Sequence, residues 1–297
     1  MITRLYGLHG TGWRKRPLCY SFRMPAVLEA SVIQRNGDPA SGVLLRVEAP
    51  EVAATCRPGQ FVMVGADPEF RISHPLLKRA LAVYDVPPEH PATIVLLLKV
   101  VGDGTRRLAN LHPGHRLSLV GPLGNGFDLE SARGKKNLIV AGGTGIASVF
   151  LLARALADSG EEVTLFYGGR RSIDLVGLTD WEGLNVAVRT TTEDGTAGEQ
   201  GLVTRPLAET LSSGGNFNLF TCGPNPMMQA VATLAAEARV PCQLSVESKM
   251  ACGFGVCLGC SVKTRRFGFR LSCTHGPVFE AADFVWELPV GRGQLTS

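Results

Sequence analysis

Asn137-Leu138-Ile139-Val140-Ala141-Gly142-Gly143-Thr144-Gly145-Ile146-Ala147-Ser148 joins a short apolar run to a longer one, Ile146–Ala157, through three glycines. The first run has the length and composition of a buried strand, and the second those of an apolar helix. A Gly-rich strand-to-helix turn lets a pyrophosphate approach the helix N-terminus, where backbone N–H groups and the dipole favour anions. Gly142, Gly143, Thr144 and Gly145 are therefore candidate contacts for a nicotinamide dinucleotide, with a simple tight turn as the alternative.

Downstream of this turn the pattern repeats. Glu162–Gly168, Leu184–Arg189 and Asn218–Cys222 read as further strands, with helical stretches between and after them, Pro226–Ala238 the clearest. Strands alternating with helices imply a parallel sheet covered on both faces. Thr221-Cys222-Gly223-Pro224-Asn225-Pro226 closes the last of these strands, and Pro226 suits a first helical turn. That places Cys222 and Gly223 at the sheet edge where ligands bind, although an isolated buried cysteine is more often a small hydrophobe. Arg170 and Arg171 follow the second strand. They could accept a 2′-phosphate or face solvent, so NAD against NADP stays open on these residues.

Upstream, from Val27 to about Gly121, the texture differs. Val43–Val47, Phe61–Val64, Leu81–Val86, Ile94–Val101 and Leu117–Val120 are short apolar runs bounded by turn residues. With no long helical period among them, they predict an antiparallel barrel, and Asn36-Gly37 marks a hairpin turn. Lys78-Arg79-Ala80-Leu81-Ala82 puts a basic pair at the head of a strand, and Gly102-Asp103-Gly104-Thr105 follows another. Either could hold phosphate, the second through backbone amides. Alone, each reads as an ordinary strand end. Arg133-Gly134-Lys135-Lys136 is the linker between the two halves.

Near the C-terminus, Cys252, Cys257, Cys260 and Cys273 are spaced C-x4-C-x2-C-x12-C. This is the plant-type ligand spacing of a [2Fe–2S] cluster. Gly253, Gly255 and Gly259 fill the loop, as a chain wrapping tightly around sulfide requires. Four thiolates also suit structural zinc, but zinc ribbons usually present two short C-x2-C knuckles. The other cysteines, Cys19, Cys56, Cys222 and Cys242, show no disulfide-framework spacing and read as reduced thiols, with the cytoplasm as the expected compartment.

The chain has 297 residues, enough for two or three domains, and 45% apolar with 19% charged residues is an ordinary globular composition. Its net charge of +4 is a local feature. Arg4, Arg14, Lys15, Arg16 and Arg23 lie in residues 1–23, which hold no acid, and the remaining 25 Lys+Arg face 26 Asp+Glu. The charge balance therefore does not point to nucleic acid. Residues 1–23 lack the apolar core of a signal peptide and read as a disordered extension. No stretch is apolar for the roughly 18 residues of a membrane span. His74, His90, His112 and His115 read as solvated loop residues, and His275 as structural although it could face the cysteines.

Taken together, these segments resemble the electron-transfer subunit of the NAD-dependent, two-subunit bacterial dihydroorotate dehydrogenase, within the ferredoxin–NADP reductase superfamily. The resemblance runs from about Met24 to Phe279 and includes Gly121-Pro122-Leu123-Gly124-Asn125-Gly126-Phe127. Its most specific segments are Glu247-Ser248-Lys249-Met250-Ala251-Cys252-Gly253 and Cys273-Thr274-His275-Gly276-Pro277-Val278-Phe279. It implies a mixed β and α/β fold: an FAD-binding barrel over 24–133, a nicotinamide-binding domain over 134–243 and a [2Fe–2S] module over 244–297. It places FAD on Arg79, Ala80, Leu81 and Ala82, with Leu98, Lys99, Val100, Gly104 and Thr105, and makes the four tail cysteines the cluster ligands.

The family's Arg-Pro-x-Ser flavin motif is changed here, with Ala80 and Ala82 at its second and fourth positions. The lost serine hydroxyl is a hydrogen bond worth about 0.5–1.5 kcal/mol, so FAD is expected to bind with altered reactivity or potential. The resemblance further implies pyrimidine biosynthesis. Electrons from an FMN-containing catalytic partner would pass through the cluster and FAD to NAD⁺, in a heterotetramer of two copies of each chain. Sister reductases of similar architecture, such as the small subunit of a sulfide dehydrogenase or of a ferredoxin:NADP⁺ oxidoreductase, share most of these motifs. A zinc-stabilised binding module is the non-enzymatic alternative.

Overall fold

The computed structural model describes residues 26–66 and 77–286. The expected extension over residues 1–23, and His74, lie outside the described residues.

Six strands form a closed antiparallel barrel: β1 (Ala26–Asp38), β2 (Gly42–Glu48), β3 (Phe61–Gly65), β4 (Arg79–Asp85), β5 (Thr93–Leu98) and β6 (Arg116–Leu123). Their order around the barrel is β1-β2-β5-β4-β3-β6. Val43, Leu45 and Val47 alternate inward on β2 and meet Val62, Val64, Ile94, Leu96, Leu117 and Leu119 in one core. That alternation is what a strand with a single buried face requires. Two short helices, α1 (Pro50–Ala53) and α2 (Asp103–Ala109), decorate the barrel.

The first hairpin turns later than Asn36-Gly37 suggested. Both residues pair within the β1–β2 ladder, and the reversal falls at residues 39–41. Pro39 has no N–H to give a ladder, and the Asp38 carboxylate accepts a 2.8 Å bond from the Ala40 N–H, forming the turn there.

The second half is a seven-stranded sheet: β7 (Lys136–Gly142), β8 (Val163–Gly169), β9 (Ala187–Thr192), β10 (Glu199–Gln200), β11 (Phe217–Cys222), β12 (Cys242–Ser245) and, after the hairpin β13 (Ser261–Thr264) and β14 (Gly268–Leu271), β15 (Val278–Glu280). The order is β10-β9-β8-β7-β11-β12-β15. All pairs are parallel except β12 with β15. The third strand begins three residues later than its apolar run, because Leu184 and Val186 pack beneath the sheet instead of pairing.

Helices α3 (Ile146–Asp158), α4 (Thr204–Ser212) and α5 (Asn225–Glu237) cover the sheet. α3 is apolar on several faces because it is sandwiched between sheet and barrel. Phe150 on α3 stacks on Tyr84 of β4 at 4.4 Å and meets Trp181 edge-on at 5.1 Å. The two halves thus share one core. Three polar contacts cross the same boundary: Arg154 to Asp85 at 2.7 Å, Tyr84 to Asp180 at 2.8 Å, and Lys99 to Asp174 at 2.8 Å.

The cysteine segment is seated against both halves. β15 completes the edge of the α/β sheet, while Cys260, Cys273, Met250 and Leu271 pack on Phe61, Met63, Val120 and Leu123 of the barrel.

Candidate functional site: a flavin-sized cavity beside the cysteine loop

A cavity of about 800 Å³ opens where β4 and β5 face the segment after β12. Arg79, Ala80, Leu81, Ala82, Leu98, Lys99 and Thr105 all line it, as does Thr144 of the glycine turn. Val100, Gly104, Gly142, Gly143, Gly145, Cys222 and Gly223 are not part of this lining. Four cations, Lys78, Arg79, Lys99 and Lys249, face a single carboxylate, Glu247, among the described lining residues. Such a cavity suits a ligand with phosphates and a flat apolar body, which is the character of FAD. The Arg79 guanidinium lies across Gly104, where a Cβ would push it aside. The Thr105 hydroxyl accepts bonds from the N–H groups of Val101 (2.9 Å) and Gly102 (3.2 Å), setting the turn that opens α2.

At the glycine turn, Gly143 takes φ +51° and a Cβ there would meet nothing within 4 Å. This is an open cradle for a ligand beside exposed backbone. Gly145 packs directly against the carbonyl of Cys222 and the Cα of Gly223, so the two sequence motifs meet. Tyr167 of β8 anchors the turn from beneath, its hydroxyl 3.0 Å from the Gly143 carbonyl.

Cys222 is wholly buried and does not reach the cavity. Burial first, then the nearby Glu247, pushes its thiol up to about 12, while hydrogen bonds with Ser148 and Ser245 act in the opposite direction. Ser148 and Ser245 line the cavity themselves. Glu247 opens onto the cavity, and burial holds its carboxyl above the ordinary value.

The four cysteines gather into two pairs. Cys260 and Cys273 are buried with their sulfurs 3.2 Å apart, and the Cys252 sulfur accepts a 3.4 Å bond from the Cys257 N–H. No three His, Cys, Asp or Glu side chains among the described residues converge as they would around one metal ion. Two pairs fit a two-iron cluster, in which each iron takes two thiolates, better than a zinc ion that needs all four around one point.

Burial works against the Cys252 thiolate, but N–H groups of Cys257, Phe254 and Val256 aimed at its sulfur bring the thiol down to about 7. Burial raises Cys273 to about 12, with Cys260 beside it adding to the effect. Gly253 (φ +84°) and Gly255 (φ +91°) supply left-handed turns that the spacing anticipated. Leu258 adopts φ +59° as well, a strained conformation that its residue type does not announce.

Two motifs are stitched to this loop from a distance. The Asn125 amide donates to the carbonyls of Thr274 (3.1 Å) and His275 (3.2 Å), which explains the Gly124-Asn125-Gly126 segment. His275 Nδ1 accepts the Leu271 N–H at 3.2 Å, a structural role. Phe61, Ser248, Met250 and Pro277 also line the cavity; the sequence reading assigned none of them to the flavin site, although the last three lie in the segments that carry the family resemblance. Phe61 and Met250 are shared: they line the cavity and also pack with Cys260 and Cys273. On the other side of the loop Phe254, Val256 and Leu258, with Phe267 and Phe269 of the β13–β14 hairpin, are exposed.

Comparison with known proteins agrees with this arrangement. Residues 247–285 match the iron-sulfur cluster binding domain of dihydroorotate dehydrogenase B, and residues 139–233 an oxidoreductase NAD-binding domain. The dihydroorotate dehydrogenase B (NAD(+)) electron transfer subunit of Desulforamulus reducens is 33% identical over 267 residues, covering 89% of this chain and all of that protein. The protein of the same description from Caldanaerobacter subterraneus subsp. tengcongensis is 38% identical over 77% of this chain and 87% of its own length. Among solved structures, an NADH-dependent reduced ferredoxin-NADP oxidoreductase superposes with a TM-score of 0.75 at 27% identity, covering 86% of this chain and 89% of that one. A ferredoxin reductase of carbazole 1,9a-dioxygenase shares the fold at a TM-score of 0.61. With a full-length relative above 30% identity, and with both its iron–sulfur and its dinucleotide segments matched, the chain belongs to the dihydroorotate dehydrogenase B (NAD(+)) electron transfer subunit family.

Proposed function

We propose that this chain conducts electrons between a nicotinamide dinucleotide and a partner subunit that oxidises dihydroorotate, using FAD in the 800 Å³ cavity and a [2Fe–2S] cluster on Cys252, Cys257, Cys260 and Cys273. The observation that carries this reading is a pair of shared residues. Phe61 and Met250 line the cavity and belong to the same apolar cluster as Cys260 and Cys273, which sets the two cofactor positions proposed here beside one another. FAD exchanges hydride with a nicotinamide and single electrons with an iron–sulfur cluster, which is why a chain linking the two needs it.

The residues have separate tasks. Arg79, Lys78 and Lys249 offer charge to phosphates, and the apolar Leu81, Leu98 and Phe61 hold a flat ring and exclude water. Gly143 and Thr144 present backbone and hydroxyl to the dinucleotide. N–H groups of the cysteine loop aimed at sulfur stabilise thiolate charge and so set the cluster's potential. The exposed Phe254, Val256, Leu258, Phe267 and Phe269 supply an apolar face beside the cysteines for the catalytic partner. A complex of two copies of each chain is the assembly in view. Among the described residues no helix is long and apolar enough to cross a membrane.

The test is anaerobic co-purification with the dihydroorotate-oxidising chain, followed by iron, sulfide and flavin analysis and a dihydroorotate:NAD⁺ assay. The isolated chain should reduce artificial acceptors with NADH but leave dihydroorotate untouched, and the complex should turn over dihydroorotate. The likeness to the ferredoxin-NADP oxidoreductase favours one second reading: flavin and cluster present, with ferredoxin rather than dihydroorotate as the electron source. Zinc without sulfide or flavin would establish a binding module instead.

A further inference from the structure

Lys99 and Asp174 form an ion pair at 2.8 Å that crosses from the barrel to the α/β half, with side chains 29% and 19% exposed. Lys99 also lines the flavin-sized cavity. Asp174 stands in the loop after β8, and this loop is pinned by Tyr167. The Tyr167 hydroxyl lies 3.2 Å from the Asp174 carbonyl, 3.1 Å from that of Val176 and 3.0 Å from that of Gly143 in the glycine turn. A wholly buried tyrosine therefore ties the position of Asp174 to the turn proposed to take the dinucleotide.

We propose, resting on the reading of the cavity as the flavin site, that Asp174 is a positioning residue which restrains the Lys99 ammonium at the cavity wall and limits its approach to the bound flavin. A cation stabilises the added negative charge of a reduced flavin more strongly the closer it comes, so a lysine released from its carboxylate raises the flavin potential. The pair is sheltered enough for its charge to matter, unlike the exposed Arg106–Asp103 pair on α2. Asp174 is held well ionised, its carboxyl lowered first by the hydrogen bond from Lys99.

The experiment measures the flavin midpoint potential and FAD dissociation of the full-length, FAD-loaded chain by spectroelectrochemistry and fluorescence. Asp174→Asn should shift the potential positive and Lys99→Met should shift it negative. In the Lys99→Met background the Asp174→Asn shift should largely vanish, because the carboxylate acts through the lysine. Asp174→Glu, which keeps the charge, should return the potential toward wild type and guards against a variant that merely misfolds. An unchanged potential in Asp174→Asn, or a shift of equal size with and without Lys99, overturns the proposal. A wild-type chain that takes up no FAD would instead sink the assignment of the cavity itself.

Discussion

Cys273 shows how much a single residue is asked to do. It is buried against Cys260, Gly255 packs near its neighbour Thr274, and the barrel's Met63 and Leu123 close over the loop at Gly253. Replacing it with serine removes a soft ligand, so Cys273→Ser should lose iron and acid-labile sulfide while flavin content stays near wild type; colorimetric iron and sulfide assays read this directly. Ala82 is the second informative residue. It lines the cavity with a methyl group and no side-chain polar atom. Ala82→Ser should tighten FAD by about twofold to tenfold, the equivalent of one neutral hydrogen bond of about 0.5–1.5 kcal/mol, as measured by fluorescence titration. The cysteine spacing was legible in the chain because it is a local pattern, whereas the flavin segments alone read as an ordinary strand end and turn and were expected to hold FAD only through the family resemblance. Leu258 was not legible: its left-handed backbone, between Cys257 and Cys260, runs against its own preference.

The elements meet most tightly at the junction of β4 and α3. Asp85 and Arg154 each have side chains only 13% exposed. Burial outweighs the guanidinium beside it, so the Asp85 carboxyl is raised from 3.8 to about 6. The folded chain thus holds this proton more tightly than the unfolded chain. Its contribution to stability is greatest below pH 3.8 and is lost as pH rises to about 6, a fall of up to about 3 kcal/mol. Urea unfolding between these limits should show the slope in the wild type and lose it in Asp85→Asn. Arg154→Met leaves a buried carboxylate without its counter-charge and should cost about 3–5 kcal/mol near neutral pH by the same measurement. The strand and helix assignments at this junction followed from apolar periodicity. The Asp85–Arg154 pairing did not, because its partners lie 69 residues apart and carry no shared motif.

At the scale of the whole molecule, function depends on three segments converging: the outer face of the barrel, the edge of the α/β sheet and the cysteine tail. The exposed apolar side chains between residues 254 and 269 point to a partner on the far side of that convergence. Phe267→Asp with Phe269→Asp should weaken co-purification of the catalytic partner at least tenfold while NADH-dependent dye reduction by the isolated chain is unchanged, checked by gel filtration and a diaphorase assay. The chain alone determined the barrel, the α/β sheet and the cysteine spacing, since hydrophobic period and glycine placement act over a few neighbouring residues. Only the folded arrangement decided that Phe61 and Met250 are shared by the cavity and the cysteine cluster, that Asn125 holds the cysteine segment, that β15 closes the sheet and that Asp174 meets Lys99. Those contacts join residues far apart in the chain, and packing, which brings them within a few ångströms, leaves no trace in local spacing.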